Sequence, residues 1–212
     1  TDWVAIKQAI QKTYEKNDKE LLLADFIENI PEETEGQKKA LTHLKSYLNE
    51  KDPKYYLFNH HQNIEFGLDE LICFGLKDIE DRELVTSVIL EQYWQFVQSE
   101  KNAYIWKNLV VDEAHHLFSQ DLVVETLVKI ALRGRKHRCG VTTIVQDISH
   151  YYELHELAGN LLNQASMTLI FRHKSGKSFE RLKEEFHLNA EEVRFMEGLG
   201  TGESMIMIDT MD

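Results

Sequence analysis

The stretch that decides the fold is Leu109-Val110-Val111-Asp112-Glu113-Ala114-His115-His116. Its three apolar residues run directly into two acids. A short apolar run of this kind is typical of a buried strand in a parallel sheet, where both faces are covered. Open α/β sheets bind ligands at the carboxyl ends of such strands, where Asp112 and Glu113 stand. The stretch therefore predicts an α/β fold with a polar site at the end of this strand.

The two acids have different uses at a phosphate site. A carboxylate at Asp112 suits the coordination shell of Mg²⁺, and a carboxylate at Glu113 suits polarising a water for attack on a terminal phosphate. A second interpretation needs no catalysis, because acids are also favoured at a helix N-terminus, where they complement the helix dipole. The stretch alone leaves both interpretations open.

The rest of the chain alternates strand-like and helix-like segments, which is typical of a mainly parallel sheet covered by helices. Strands are predicted at residues 71–76, 140–145, 167–171 and 205–208, and short strands or a hairpin at 56–58 and 64–66. Helices are predicted after Asp81 as an N-cap, at 122–133 with Gly134 as C-cap, at 157–163 and 179–186, and after Asn189, which forms a capping-box pattern with Glu192.

The N-terminal part has a different character. Apolar residues recur at helical spacing on both sides of an acidic break at residues 31–36. We therefore predict a partial all-helical subdomain over residues 1–52 and an α/β core over residues 53–212.

Composition limits the class of protein. The 212 residues have a net charge of −12, which argues against a dedicated nucleic-acid surface. The two cysteines form no disulfide framework, and no apolar run approaches the ~18 residues of a membrane span, so a cytosolic setting is expected. Because Thr1 is not an initiator Met, we expect a piece of a longer protein.

A basic cluster follows the helix predicted at 122–133 and consists of Arg133, Arg135, Lys136 and Arg138. One interpretation is that these cations complement the helix dipole, which contributes up to about 1 kcal/mol. A second is that one or two of them reach a neighbouring subunit's nucleotide as arginine fingers. DNA contact is a third use, which the acidic composition does not favour. The sequence leaves the choice open.

Gln146 follows the strand predicted at 140–145. In α/β nucleotide hydrolases, the strand beside the acidic one can end in a polar side chain that contacts the attacking water or the γ-phosphate. A polar residue at this place can also simply cap the next turn. The order of Asp112, Glu113, the basic cluster and Gln146 is more specific than any one of them.

That order resembles the conjugative type IV secretion ATPases of the VirB/TraC/TrbE type, the fourth VirB component, which are similar to HerA/FtsK motors with RecA-like cores. The resemblance includes the Walker B-like strand ending in Asp112-Glu113-Ala114, the Arg135-Lys136 pair and Gln146. Residues 160–172 resemble the family's short helix and following strand, and residues 186–203 its closing helix and Gly-Glu hairpin. It covers about residues 55–210, and the preceding helices match the family's all-helical insertion by position only.

The resemblance implies a RecA-like fold and an ATPase that uses ATP and Mg²⁺. It implies that Asp112 holds Mg²⁺ through water, that Glu113 is the catalytic acid and that Gln146 senses the γ-phosphate. Arg135 and Lys136 would act at a subunit interface, and Arg172 would be a further basic contact with the nucleotide.

The resemblance also implies partners. The longer protein would self-associate, with a hexamer as one arrangement, and would meet other type IV secretion components at the cytoplasmic face of the membrane. It would couple ATP hydrolysis to apparatus assembly or to transfer of DNA or protein. DNA contact stays open, although the acidic charge does not favour it.

One family motif is missing. The sequence contains no G-x-x-x-x-G-K-[ST] phosphate loop. Gly176-Lys177-Ser178 matches only its tail, because Phe171 stands where the first glycine is required, and we interpret these residues as a helix start. The family's phosphate loop would precede Thr1, so the fragment is expected to be inactive alone.

The sequence is compatible with two other functions. Asp112-Glu113-Ala114-His115 spells the DEAH box of superfamily-two helicases, but the other helicase motifs are not visible. An inert RecA-like scaffold is the non-enzymatic alternative. Adjacent histidines on one strand do not converge on an ion, so His60-His61 and His115-His116 predict no zinc site.

Overall fold

The computed structural model describes residues 2–16, 21–51, 55–59, 71–77, 79, 81–173 and 176–209. The chain divides into two compact units, Thr1–Glu65 and Phe66–Asp212. The boundary predicted after residue 52 adjoins residues 52–54, which lie outside the described residues. The predicted division therefore stays a prediction.

The described part of the first unit is helical. Its helices are α1 (Asp2–Lys16), α2 (Leu23–Ile27), α3 (Glu35–Ser46) and α4 (Tyr55–Phe58). Helix α3 begins with a capping box, in which Thr34 Oγ1 accepts from the Gln37 amide and the Gln37 side chain accepts from the Thr34 amide. A small core of Ala9, Ile27, Ile30 and Leu41 holds this unit together.

The strand predicted at residues 56–58 is wrong, because this segment forms α4. The Asn59 amide group donates to the carbonyls of Tyr55 and Tyr47, and the Phe58 ring packs edge-on against Tyr47. These contacts override the β-propensity of an aromatic run. Its predicted partner at 64–66 lies outside the described residues.

The second unit alternates strands and helices, which confirms the α/β class. Its elements are α5 (Arg82–Gln98), β1 (Lys107–Val111), α6 (Asp121–Gly134), β2 (Cys139–Thr143), α7 (His150–Glu153), α8 (Gly159–Asn163), β3 (Met167–Phe171), α9 (Lys177–Glu185), α10 (Ala190–Gly198) and β4 (Ser204–Ile208). Helix α9 begins directly after Gly176, as expected. Helix α10 begins with the predicted capping box of Asn189 and Glu192.

The described strands form two pairs. Strands β1 and β2 are parallel, from Lys107 opposite Cys139 to Val111 opposite Thr143. Strands β3 and β4 are antiparallel, and here the structure differs from the parallel arrangement expected. Two consecutive helices, α9 and α10, separate β3 from β4, so the chain returns in the opposite direction. The two acids follow β1, which belongs to the parallel pair.

Three local predictions need correction. Residues 71–76 form no strand, and Leu71 is 92% exposed; without a neighbouring ladder in the described residues, an apolar run alone does not make a strand. Asp81 precedes α5 as predicted, but it adopts a left-handed conformation and makes no side-chain cap. Gly134 is the last residue of α6, and the left-handed residue that ends the following turn is Arg138.

The core of the second unit lies between its helices and its strands. Its fully buried side chains include Val97, Phe118, Leu127, Ile130, Phe179 and Met196. None of the helices within the described residues is long and apolar enough to cross a membrane.

Candidate active site

The site begins where β1 ends. The Ile144 amide donates to the Val111 carbonyl, and the Ala114 amide donates to the Ile144 carbonyl, both at 2.9 Å. These bonds extend the parallel ladder beyond the strands and lock the turn after β1 to the segment after β2. Ala114 is fully buried below this turn. The backbone at Asp112 and Glu113 is therefore held firmly, with the Asp112 side chain exposed and the Glu113 side chain partly buried.

The turn itself is tight. Glu113 has a φ of 48°, in the left-handed region that non-glycine residues rarely adopt. Its amide donates to Asp112 Oδ1 at 3.0 Å, a local bond that supports the turn. A non-glycine residue in this conformation costs of order 1–3 kcal/mol, and such residues concentrate at functional sites.

The structure brings Glu113 and Gln146 together. Gln146 Nε2 donates to Glu113 Oε1 at 2.8 Å. Gln146 lies three positions beyond the end of β2, not within the strand, and the two side chains meet because β1 and β2 are parallel neighbours. A carboxylate and an amide side chain thus share the carboxyl end of the sheet, as the sequence predicts.

The second oxygen of Glu113 faces a residue to which the sequence analysis gave no role. His115 Nδ1 lies 3.3 Å from Glu113 Oε2. The His115 ring stacks on His150 at 4.4 Å between centroids and lies 4.2 Å from the His116 ring. Burial lowers the pKa of His115, and its two histidine neighbours lower it further, whereas Glu113 acts in the opposite direction. The feature of the sequence that could have identified His115 is the His115-His116 pair beside the two acids.

The prediction that His115 and His116 do not converge is wrong, because it placed both residues on one strand. His115 and His116 lie on a 3₁₀ turn, Ala114–His116, not on a strand. Successive side chains on such a turn do not point to opposite faces, so the two rings come close. His60-His61 lies outside the described residues.

Asp147 is a further polar residue near the site that the sequence analysis did not identify. Its half-buried carboxylate accepts from the Ser149 amide at 2.8 Å. Burial alone would raise its pKa, but hydrogen bonds from Ser149 and Ser178 together with the nearby His150 outweigh burial, and the pKa of Asp147 lies below its usual value. This residue fixes the turn that directly follows Gln146.

The structure does not bring the basic pair to the two acids. Arg135 and Lys136 are exposed on a 3₁₀ turn that leads into the start of β2. Because β1 and β2 are parallel, this is the opposite end of the sheet from Glu113. A five-residue strand spans roughly 13–16 Å, so the pair cannot reach a phosphate beside Glu113 in the same chain. Arg172 is exposed directly after β3, and within the described residues it makes no hydrogen bond or ion pair with Asp112 or Glu113.

The donor set fits Mg²⁺ bound largely through water. Asp112 is exposed at the strand end and offers a hard carboxylate oxygen, the ligand type that Mg²⁺ prefers. Mg²⁺ usually keeps several of its waters and takes only one or two carboxylates from the protein. Asp112 is exposed, and Glu113 beside it is hydrogen-bonded to Gln146, so the site offers the one or two carboxylates that Mg²⁺ takes from a protein.

No protein-family model and no curated protein matches this chain. A solved structure does: VirB4 of Thermoanaerobacter pseudethanolicus superposes with a TM-score of 0.72 at 18% sequence identity over 99% of this chain. The chain has the fold of VirB4. It spans 62% of the length of that VirB4 chain. The likeness supports the α/β assignment made from the strand ending in Asp112.

Proposed function

We propose that this chain is part of the ATPase core of a type IV secretion ATPase related to VirB4. The observation that carries the proposal is the hydrogen bond between Gln146 and Glu113 at the carboxyl end of the β1–β2 pair. A water placed between an oriented carboxylate and an amide is held for attack on a phosphorus atom. The fold shared with VirB4 is the second support.

Each residue has a role in this proposal. Glu113 accepts a proton from the attacking water and orients it, since one of its oxygens is already held by Gln146. Gln146 donates one amide hydrogen to Glu113 and uses its second amide hydrogen or its carbonyl oxygen to contact the water or the γ-phosphate. Asp112 would hold Mg²⁺ through a bound water, and the ion would neutralise charge on the phosphates. Arg172 is a basic contact with the nucleotide.

Arg135 and Lys136 act across a subunit boundary in this proposal. Their place at the far end of the sheet excludes a role at the site of their own chain, so any catalytic role is in trans. The exposed side chains of Tyr104 and Trp106 lie beside the same end of the β1–β2 pair. The Arg138 guanidinium carbon lies 5.7 Å from the Tyr104 ring centroid and 5.8 Å from the Trp106 ring centroid. Exposed aromatic and arginine side chains are enriched at protein interfaces. This surface is therefore the proposed contact with a second copy.

The whole protein would contain more than this chain. We propose that a segment outside this sequence supplies the phosphate-binding loop, and that residues 1–52 belong to an all-helical subdomain beside a RecA-like core. The protein would be cytoplasmic and peripheral to the membrane. There it would couple hydrolysis to apparatus assembly or to conjugative transfer of DNA or protein, together with other secretion components.

The alternatives are favoured less. The DEAH-type helicase rests on four residues alone, whereas the fold of this chain matches that of VirB4. An inert scaffold does not explain why a strained Glu113 is kept in hydrogen-bond contact with Gln146. A scaffold would need neither residue.

Replacement of Glu113 by Gln in the full-length protein tests the proposal. The change keeps the size of the side chain and removes the carboxylate, so steady-state ATP hydrolysis should fall by at least about 100-fold while ATP binding persists. Glu125→Gln, at an exposed position on α6, is the matched control and should hydrolyse ATP normally. Hydrolysis by Glu113→Gln within about tenfold of wild type would show that Glu113 is not the catalytic acid.

A further inference from the structure

The turn after β1 brings three metal-ligating side chains together. One ligand atom from each of Glu113, His115 and His116 lies within 4.8 Å of the others. Ligands around a four-coordinate Zn²⁺ at ~2.0–2.1 Å stand about 3.4 Å apart, so closure on an ion requires side-chain movements of about 1 Å. His116 is exposed and free to make such a movement, because only its backbone is fixed by the turn.

Two of these atoms lack the partners that shielded polar atoms normally have. Glu113 Oε2 and His115 Nδ1 are both buried from solvent, and neither makes a hydrogen bond of proper geometry although they lie 3.3 Å apart. Shielded polar atoms without a hydrogen bond are uncommon, because such an atom loses its bonds to water and gains none in the protein. A cation held between the two atoms would satisfy both.

The surroundings hold the backbone of the turn and the His115 ring in place. The His116 amide donates to the Glu113 carbonyl at 3.0 Å and the Leu117 amide to the Ala114 carbonyl at 2.9 Å, so the turn is closed by its own backbone. The ring of His150 stacks against the His115 ring and limits its movement. Ligands that are already oriented lose less entropy when a metal binds.

From this arrangement we propose that Glu113, His115 and His116 form a binding site for a divalent transition metal of the Zn²⁺ or Co²⁺ type. Two imidazoles and one carboxylate are the ligands that Zn²⁺ takes in open sites, with a fourth position left for water. The site differs from the Mg²⁺ position at Asp112, because Mg²⁺ prefers oxygen ligands and keeps most of its waters. Zn²⁺ and Mg²⁺ would therefore bind at neighbouring but separate places.

The site has a regulatory consequence that rests on the proposed function. A metal bound to Glu113 occupies the carboxylate that would otherwise accept a proton from water. Bound Zn²⁺ would thus inhibit hydrolysis in the longer protein without competing for the Mg²⁺ ligand Asp112. Binding itself does not depend on that function, since all three ligands belong to this chain.

Titration of this 212-residue chain with Co²⁺, without nucleotide, tests the site. Four- and five-coordinate Co²⁺ absorbs visible light much more strongly than the hydrated ion, so the spectrum reports the geometry directly. We expect one tight equivalent with this spectrum. His116→Ala changes an exposed side chain and should preserve the fold, yet weaken binding on the order of 100-fold. His115→Gln should act similarly, with circular dichroism confirming that it is folded.

The chain has ten histidines, so matched controls decide where the metal binds. His173→Ala lies after β3 and should leave the Co²⁺ spectrum unchanged. The proposal is overturned if His116→Ala and His115→Gln bind Co²⁺ as wild type does, or if His60→Ala/His61→Ala abolishes the signal instead. In the full-length protein, Zn²⁺ should lower ATP hydrolysis, and His116→Ala should reduce that inhibition, each rate being compared with the same protein without Zn²⁺. Loss of the proposed ATPase function would leave the Co²⁺ result intact.

Discussion

Gln146 donates a 2.8 Å hydrogen bond to Glu113, and this bond joins two residues that are 33 positions apart in the sequence. It exists because β1 and β2 run parallel with Val111 opposite Thr143, so that the segments leaving both strands emerge at one edge. The bond holds one oxygen of Glu113, while His115 faces the other. Both contacts act on the carboxylate proposed to activate water.

Gln146→Ala in the full-length protein should lower ATP hydrolysis by about tenfold or more, because the water loses the amide that positions it. Its effect on the free energy of unfolding should stay within about 0.5 kcal/mol, since Gln146 is exposed. Steady-state hydrolysis and thermal melting measure the two effects. Gln164→Ala, exposed after α8, is the control. A large loss of stability with normal hydrolysis would instead assign Gln146 to turn capping.

Arg135→Ala/Lys136→Ala in the full-length protein distinguishes a finger from a helix-end cation. A finger contributes ~10³-fold or more to turnover and little to stability, whereas a helix-end cation contributes up to about 1 kcal/mol to stability and nothing to turnover. We expect a strong loss of hydrolysis with a small change in melting temperature. Arg133→Ala, at the exposed end of α6, is the matched control.

Mixing this double variant with Glu113→Gln should restore part of the activity. In a mixed oligomer, an intact Glu113 from one variant can face an intact Arg135 and Lys136 from the other. Hydrolysis of the mixture is compared with that of each variant alone. A normal rate for the double variant alone, with no gain in demonstrably mixed oligomers, would return the pair to a helix-end role.

The isolated 212-residue chain should bind MgATP weakly or not at all. Its sequence contains no phosphate loop, and such a loop provides the backbone N–H groups and the lysine that grip the phosphates. Isothermal calorimetry with MgATP measures the affinity. Micromolar binding that requires Mg²⁺ would show that the nucleotide site has been placed wrongly.

The two thiols should differ in reactivity. Cys139 is buried, and its Sγ lies 3.4 Å from the Tyr93 hydroxyl; burial raises the pKa of the Cys139 thiol, so less of the reactive thiolate forms near pH 8. Cys73 is exposed. We expect an alkylating reagent to modify Cys73 rapidly and Cys139 only after denaturation. Peptide mass spectrometry assigns the modified residue, and Cys73→Ser removes the fast phase. Equal rates in the folded protein would refute this difference.

Asp147→Asn should make stability less dependent on pH. The pKa of Asp147 is lowered in the folded state, so its charged form stabilises the fold fully above the ordinary aspartate pKa of ~3.9, and this contribution is lost as pH falls through the lower folded value. Urea unfolding should therefore show the variant less stable than wild type at pH 7, with the difference shrinking towards about pH 3. A difference that is constant across this range would exclude the carboxylate charge as its cause.

The sequence predicted the elements whose signals are local. The apolar run before Asp112, the strand at residues 167–171 and the capping box of Asn189 and Glu192 all appear where expected. Side-chain periodicity and cap hydrogen bonds depend on residues within one turn or one strand, so the chain needs no distant partner to express them. The sequence also predicted a polar residue at the end of the neighbouring strand, but not its hydrogen bond to Glu113.

Other features depended on contacts between distant segments. The sequence predicted Gly134 as a helix C-cap, which is a local role. In the structure, a Cβ atom at this position would lie 2.8 Å from the Cys139 carbonyl oxygen, because β2 begins close to the end of α6. Residues 71–76 have the composition of a strand and form none, since a strand requires a neighbouring ladder.

Local sequence signals were enough to predict that two acids follow a strand and that a basic pair and a glutamine come later. The tertiary structure decided which of them meet. Strand direction placed Gln146 beside Glu113 and put Arg135 and Lys136 at the opposite end of the same pair. A tight turn, not a strand, brought His115 onto the second oxygen of Glu113. Order along the chain is local information, but convergence in space depends on strand direction and turn geometry, which are set only when the elements pack.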